Sequence, residues 1–137
     1  MRRGRILACL LLIIAGLAIY HNSFGNPLFW DDEETIIRNV WIRSWKHLPE
    51  IFTHNYHAGS GITLSFYRPV TTVTFMINHQ LGGLAPFGYH FRNVLIHITA
   101  ALLLFRLLLT LFGNDRIAGL TAALFLIHPL NSEAVNY

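Results

Sequence analysis

The stretch Phe87–Phe112, FGYHFRNVLIHITAALLLFRLLLTLF, decides the fold. At 1.5 Å per residue it reaches roughly 38 Å as a helix, more than the ~30 Å hydrocarbon core of a bilayer, so it reads as a transmembrane span. Arg106 would be costly at the bilayer centre. If the helix enters near Phe87, however, Arg106 lies roughly 28 Å further on and snorkels into the opposite rim. The tight polar turn GNDR, Gly113–Arg116, falls on that same face. A third span, IAGLTAALFLIHPL, starts at Ile117 and carries His128 and Pro129 roughly 17–20 Å back towards the entry side.

Upstream, Ile6–Tyr20 is an unbroken apolar and glycine run behind MRRGR. Both a signal peptide and a first transmembrane helix fit it. The missing A-x-A cleavage site and the exit YHNSFGNP favour a retained helix, and Arg2, Arg3 and Arg5 then set the N-terminus on the cytoplasmic side. The expected organisation is a cytoplasmic N-terminus over residues 1–5, transmembrane helix 1 over 6–22, an external loop over 23–86, transmembrane helix 2 over 87–112, a cytoplasmic turn over 113–116, transmembrane helix 3 over 117–130 and the start of a second external loop over 131–137.

Composition agrees. The 137 residues are 53% hydrophobic and only 12% charged, with mean hydropathy +0.44, whereas a soluble domain carries about 25% charged residues. The class is an all-α multi-pass membrane protein with about three spans and a helical external loop. A formal net charge of +3 from scattered basic residues does not suggest a nucleic-acid partner. Cys9, the single cysteine, permits no internal disulfide. With this topology Asp31, Asp32, Glu33, Glu34, Glu50 and Glu133 fall outside and Asp115 inside. The external segment contains all three tryptophans and is not a disordered linker. Leu48, Ile51 and Phe52 recur at helical spacing beside Trp41 and Trp45 and read as an interfacial helix. YRPVTTVTFMINHQLGG reads as a second helix, with Pro69 in its first turn and glycines at its end.

Several constellations could carry chemistry. In LFWDDEETIIRN, Leu28–Asn39, Asp31 and Glu34 fit a capping arrangement. The same acids, beside Phe29 and Trp30 at the membrane surface, could instead be desolvated and serve as a base. In YRPV, Arg68 either faces water at a helix start or binds a phosphate through its planar fork. GYHFRN places Tyr89, His90, Arg92 and Asn93 at the outer mouth of the second span. His97, deeper, reads as a buried histidine bonded to a neighbouring helix. HPLNSEAV brings His128, Asn131, Ser132 and Glu133 together where a helix breaks at Pro129, a pattern of cavity linings. The His54–His57 spacing is a weak metal pattern without cysteines, and GSG at Gly59–Gly61 reads as a flexible loop.

The order of FWDDEETIIRN, then YRPVTTVTFMINHQLGGLAPFGYHFRNVLIH, then LFLIHPLNSEAVNY closely resembles the N-terminal region of the transmembrane and tetratricopeptide-repeat O-mannosyltransferases and their bacterial relatives, in the GT-C glycosyltransferase superfamily. The resemblance covers the chain from about Phe24 to Tyr137, with Y-R-P and H-P-x-x-x-E-A-V its more specific parts. It implies the N-terminal fragment of a GT-C fold, inactive alone, from an enzyme that moves a sugar, mannose first, from a polyprenyl-phosphate carrier to a protein or lipid hydroxyl on the external or lumenal face. The host membrane would be a bacterial cell membrane, or the endoplasmic reticulum membrane in a eukaryote. On this resemblance Asp31 and Asp32 are the catalytic candidates, acting as general base or helping to hold a divalent cation, with Asp32 the metal candidate. Adjacent on a helix, the two diverge by roughly 100°, which leaves one of them, Asp32 by preference, for the reaction. The substrate-binding set is Arg68 at the carrier phosphate with Tyr67, His90, His128 and Glu133. The competing readings are a transporter or flippase component, with Arg106, His97 and His128 lining a path, and a non-catalytic membrane anchor.

Overall fold

The computed structural model describes residues 2–136 and is largely helical, with no strand among the described residues. The chain divides into two compact units: residues up to Asn26 with those from His90 onward, and Pro27–Tyr89.

The first unit contains helix α1 (Arg2–Tyr20), most of helix α4 (Pro86–Phe112), helix α5 (Asp115–Ile127) and the short helix α6 (Ser132–Asn136). Two stretches, Arg3–Gly25 and Pro86–Phe112, are long and apolar enough to cross a membrane. At 13 residues, α5 reaches roughly 20 Å. Helix α4 ends on Gly113, whose φ of +63° suits glycine and whose N–H reaches the Leu109 carbonyl at 3.0 Å, a left-handed cap. Asn114 then caps α5, its Oδ1 accepting the Arg116 and Ile117 N–H groups at 3.0 and 3.1 Å. Asp115 in the first turn accepts from Arg5 Nε at 2.9 Å, so the polar turn and the start of α1 share one end of this unit.

Small residues set the packing. Ala101, Ala118 and Ala122 are fully buried beside Val94, Ile98 and Leu126, and a Cβ on Gly16 would stand 2.5 Å from Ile98 Cγ1. Such positions let helices approach where lipid supplies no hydrophobic drive. Outward-facing Leu7, Leu10, Leu103, Leu107, Leu120 and Leu124 are exposed, an apolar exterior that suits lipid tails. Pro129 stops α5 and orphans its last carbonyls. The Leu126 carbonyl then accepts from Tyr20 Oη at 3.0 Å and faces His97 Nε2 at 3.0 Å, so His97 is the buried, helix-bridging histidine that the sequence suggests.

The second unit is a small helical domain made of helix α2 (Leu48–Thr53), helix α3 (Pro69–Gly82) and a series of tight turns. Its core is Ile36, Ile42, Ile51, Phe75, Met76 and Tyr89. Helix α3 begins at Pro69 and closes on Gly83, whose φ of +61° and ψ of −129° lie in a region essentially reserved for glycine. Gln80 Nε2 donates to the Arg43 carbonyl at 2.9 Å, and Tyr89 Oη donates to the Gly83 carbonyl at 3.0 Å, fixing the C-terminal end of α3. On α2, Ile51 is buried and Leu48 packs on the same core, while Phe52 and neighbouring Trp45 face outward. The apolar spacing there thus serves this unit's own core first.

The Gly59–Gly61 segment is a defined turn and not a flexible loop. It forms a 3₁₀ turn over Ala58–Ser60, ends on Gly61 at φ +81°, and packs under Asn39. A Cβ on Gly59 would overlap Asn39 Oδ1 and lie 3.1 Å from Trp41 Cγ. Asn39 cannot yield, because it is buried, its Nδ2 donates to the Thr35 carbonyl at 3.2 Å and its Oδ1 accepts from Trp41 N at 3.0 Å. Gly59→Ala is therefore expected to destabilise this unit by about 1–3 kcal/mol, the usual cost of overpacking; chemical unfolding followed by tryptophan fluorescence measures it.

Candidate functional site

The acid turn is built differently from a capping box. Asp31 and Asp32 open a helical turn that widens to π geometry over Glu33–Ile37. The Asp31–Glu34 cap expected from spacing is replaced: Asp32 Oδ2 accepts the backbone N–H of Phe29 at 3.0 Å. That bond reaches back over Trp30, which is held at φ +54°, a conformation uncommon for a bulky residue and found preferentially where structure over-determines it. Asp32 is buried and Asp31 exposed. Glu33 and Glu34 both turn to Arg38, at 2.9 and 3.4 Å, and so serve the turn. Phe29 and Trp30 stack at 5.8 Å but are 59% and 71% exposed, so Asp32 owes its burial to the turn itself.

The Gly59–Gly61 turn folds the chain back so that Tyr56 N donates to the Phe66 carbonyl at 2.7 Å. This sets two aromatic rings beside Arg68, whose Cζ lies 5.5 Å from the centroid of Tyr56 and 5.5 Å from that of Phe66. Cation–π contacts of this kind hold a guanidinium without occupying its N–H donors. No hydrogen bond or ion pair engages the Arg68 guanidinium among the described residues. Tyr67 Oη donates to the Phe52 carbonyl at 2.8 Å and thereby fixes the strand-like approach to Arg68.

Burial pushes the Tyr56 phenol above the ordinary value of 10.0; the Thr35 hydroxyl and the Arg68 guanidinium pull it back, while the Asp32 and Asp31 carboxylates add to the rise. A folded-state value above the unfolded one stabilises the fold below about pH 10, and that contribution is lost as pH climbs through the raised value. At neutral pH Tyr56 keeps its proton. Thr35 Oγ1 in turn donates to the Asp31 carbonyl at 2.8 Å.

The remaining sequence candidates belong to the first unit. His90 is buried with Nε2 3.1 Å from the Asn26 carbonyl. His128 is exposed and caps the turn after α5, its Nδ1 accepting from Leu130 N at 3.3 Å. Glu133 is exposed in the first turn of α6. The structure thus places Asp31, Asp32, Tyr67 and Arg68 in one unit, with Arg68 beside Tyr56, and places His90, His128 and Glu133 in the other. Among the described residues, no three His, Cys, Asp or Glu side chains converge into a metal site, and Asp32 spends one oxygen on a backbone N–H. The residues present do not fit a protein-made cage for a divalent cation.

These features define a helical chain of membrane type whose carboxylate turn and aromatic-held guanidinium lie outside its two membrane-length helices. It is 35% identical over 134 residues to a protein O-mannosyl-transferase of Caenorhabditis elegans, covering 91% of this chain and 19% of that protein. It is 34% identical over 140 residues to the O-mannosyl-transferase tmtc2 of Xenopus laevis, covering 96% and 16%, and 29% identical over 143 residues to human TMTC4, covering 90% and 19%. Over nearly all of its length the chain is thus similar to protein O-mannosyl-transferases of the TMTC type, a likeness that supports its placement among them. It spans less than a fifth of the length of these relatives. No family model and no solved structure matches it.

Proposed function

We propose that this chain carries the acid and phosphate-binding part of a mannosyltransferase that takes its sugar from a polyprenyl-phosphate carrier and transfers it to a protein hydroxyl on the external or lumenal face of the membrane. The observation that carries the proposal is the presence, within one compact unit, of an oriented, buried carboxylate and an aromatic-held guanidinium, both of which act electrostatically on the Tyr56 phenol. The names of the relatives support the sugar and the acceptor class. In the reaction the acceptor hydroxyl gives its proton to Asp32 as its oxygen bonds to the anomeric carbon. The bond from that carbon to the carrier phosphate breaks, and the added negative charge on the phosphate is met by Arg68. Asp31, exposed, adds to the local negative potential. Tyr67 shapes the approach to Arg68, and His90, His128 and Glu133 enter no step.

The proposed topology keeps the N-terminus cytoplasmic and residues 23–86 external, with three spans completed by 117–130. A transporter reading draws no support from His97, whose Nε2 is taken by the Leu126 carbonyl. The test is transfer of labelled mannose from polyprenyl phosphate by the complete reading frame. Loss of transfer in Asp32→Ala and Arg68→Ala supports the site, and wild-type transfer in Asp31→Ala, Asp32→Ala and Arg68→Ala alike refutes it.

A further inference from the structure

Tyr56 and Phe66 are absent from every motif that points to the site, yet both stand at its centre. Arg68 is exposed at the start of α3, and a long cationic side chain in that position ordinarily samples many rotamers at an entropic cost when it binds. Here two rings flank the guanidinium at 5.5 Å each, and the rings themselves are held: Tyr56 N is bonded to the Phe66 carbonyl, the Tyr56 ring packs on Phe75 at 6.4 Å, and His57 lies edge-on to Tyr56 and to Phe66 at 4.9 and 6.2 Å. A continuous set of contacts thus runs from the guanidinium into the core of the second unit.

We propose that Tyr56 is a positioning residue: its ring, with that of Phe66, pre-orients Arg68 for a phosphate. This rests on the function proposed above and adds the device that holds the guanidinium. Ring and hydroxyl can be removed independently, which separates the ring's role from that of the phenol.

Steady-state kinetics of the complete reading frame with a polyprenyl-phosphate mannose donor test the proposal. Tyr56→Phe keeps the ring, so the donor KM and kcat both stay within about twofold. Phe66→Leu removes a ring and raises the donor KM roughly two- to thirtyfold with little change in kcat. Tyr56→Leu removes the other ring and raises the donor KM over the same rough range, two- to thirtyfold. If Tyr56→Leu and Phe66→Leu keep wild-type kcat and KM while Asp32→Asn and Arg68→Ala abolish transfer, positioning by Tyr56 is wrong and the site stands. If all three variants lose kcat alone, in proportion to a fall in thermal stability, Tyr56 is a folding residue only and the proposal also fails. Wild-type transfer in Asp32→Asn and Arg68→Ala would overturn the underlying reading instead.

Discussion

Replacing Asp32 by asparagine is expected to lower mannose transfer by roughly 10²–10⁴-fold, the range that a positioned general base supplies. Asparagine retains a carbonyl oxygen that can accept the Phe29 N–H now bound to Asp32 Oδ2 at 3.0 Å, so the turn and its Trp30 conformation survive while the proton acceptor is lost. Asp32→Ala would remove both, and its loss would mix catalysis with a cap worth about 0.5–2 kcal/mol. Asp31→Asn is the matched control. Its side chain is exposed, so it should cost far less than Asp32→Asn. Initial rates with a polyprenyl-phosphate donor, read beside thermal unfolding of each variant, separate these cases; equal losses at the two positions would remove the assignment of the base to Asp32.

The second large effect is expected at Arg68. A charge-assisted hydrogen bond is worth about 1.5–3 kcal/mol, so Arg68→Ala should cost roughly ten- to 150-fold in kcat/KM per bond lost to the phosphate. Arg68→Lys should recover little of this, although it restores the charge. An ammonium is a strongly hydrated point charge that neither stacks between two rings nor presents a bidentate fork. Full recovery by lysine would show that only the charge matters and that the Tyr56 and Phe66 rings are incidental. The measurement is kcat/KM over a donor series at fixed acceptor concentration.

Legibility in the sequence followed the range of the interactions. Helices α1, α3 and α4 were readable because their signals are local: an unbroken apolar run, Pro69 at a first turn with glycines closing the end, and apolar residues spanning a bilayer's thickness. The buried state of His97 was readable too, because a histidine within an apolar helix must find a partner. The acid turn was harder. Spacing pointed to Asp31 and Glu34 as the capping pair, whereas the chain bends back at Trp30 so that Asp32 accepts the Phe29 N–H, and Glu33 and Glu34 turn to Arg38.

The aromatic frame was not readable at all. Tyr56 meets Phe66 and Arg68 only because the Gly59–Gly61 turn reverses the chain. Nothing local distinguishes it from an ordinary interfacial tyrosine. The one usable trace was the pair of glycines at Gly59 and Gly61, which mark a close approach under Asn39 and a left-handed turn respectively.

The central claim is that the acid turn and the guanidinium form one site. A double-mutant cycle on Asp32→Asn and Arg68→Ala, measured as single-turnover transfer of labelled mannose from polyprenyl phosphate, tests it most directly. Groups that act as a unit are strongly non-additive, so the double variant should be little worse than the poorer single one. A double variant whose rate falls by the product of the two separate factors would show two independent sites and contradict the account.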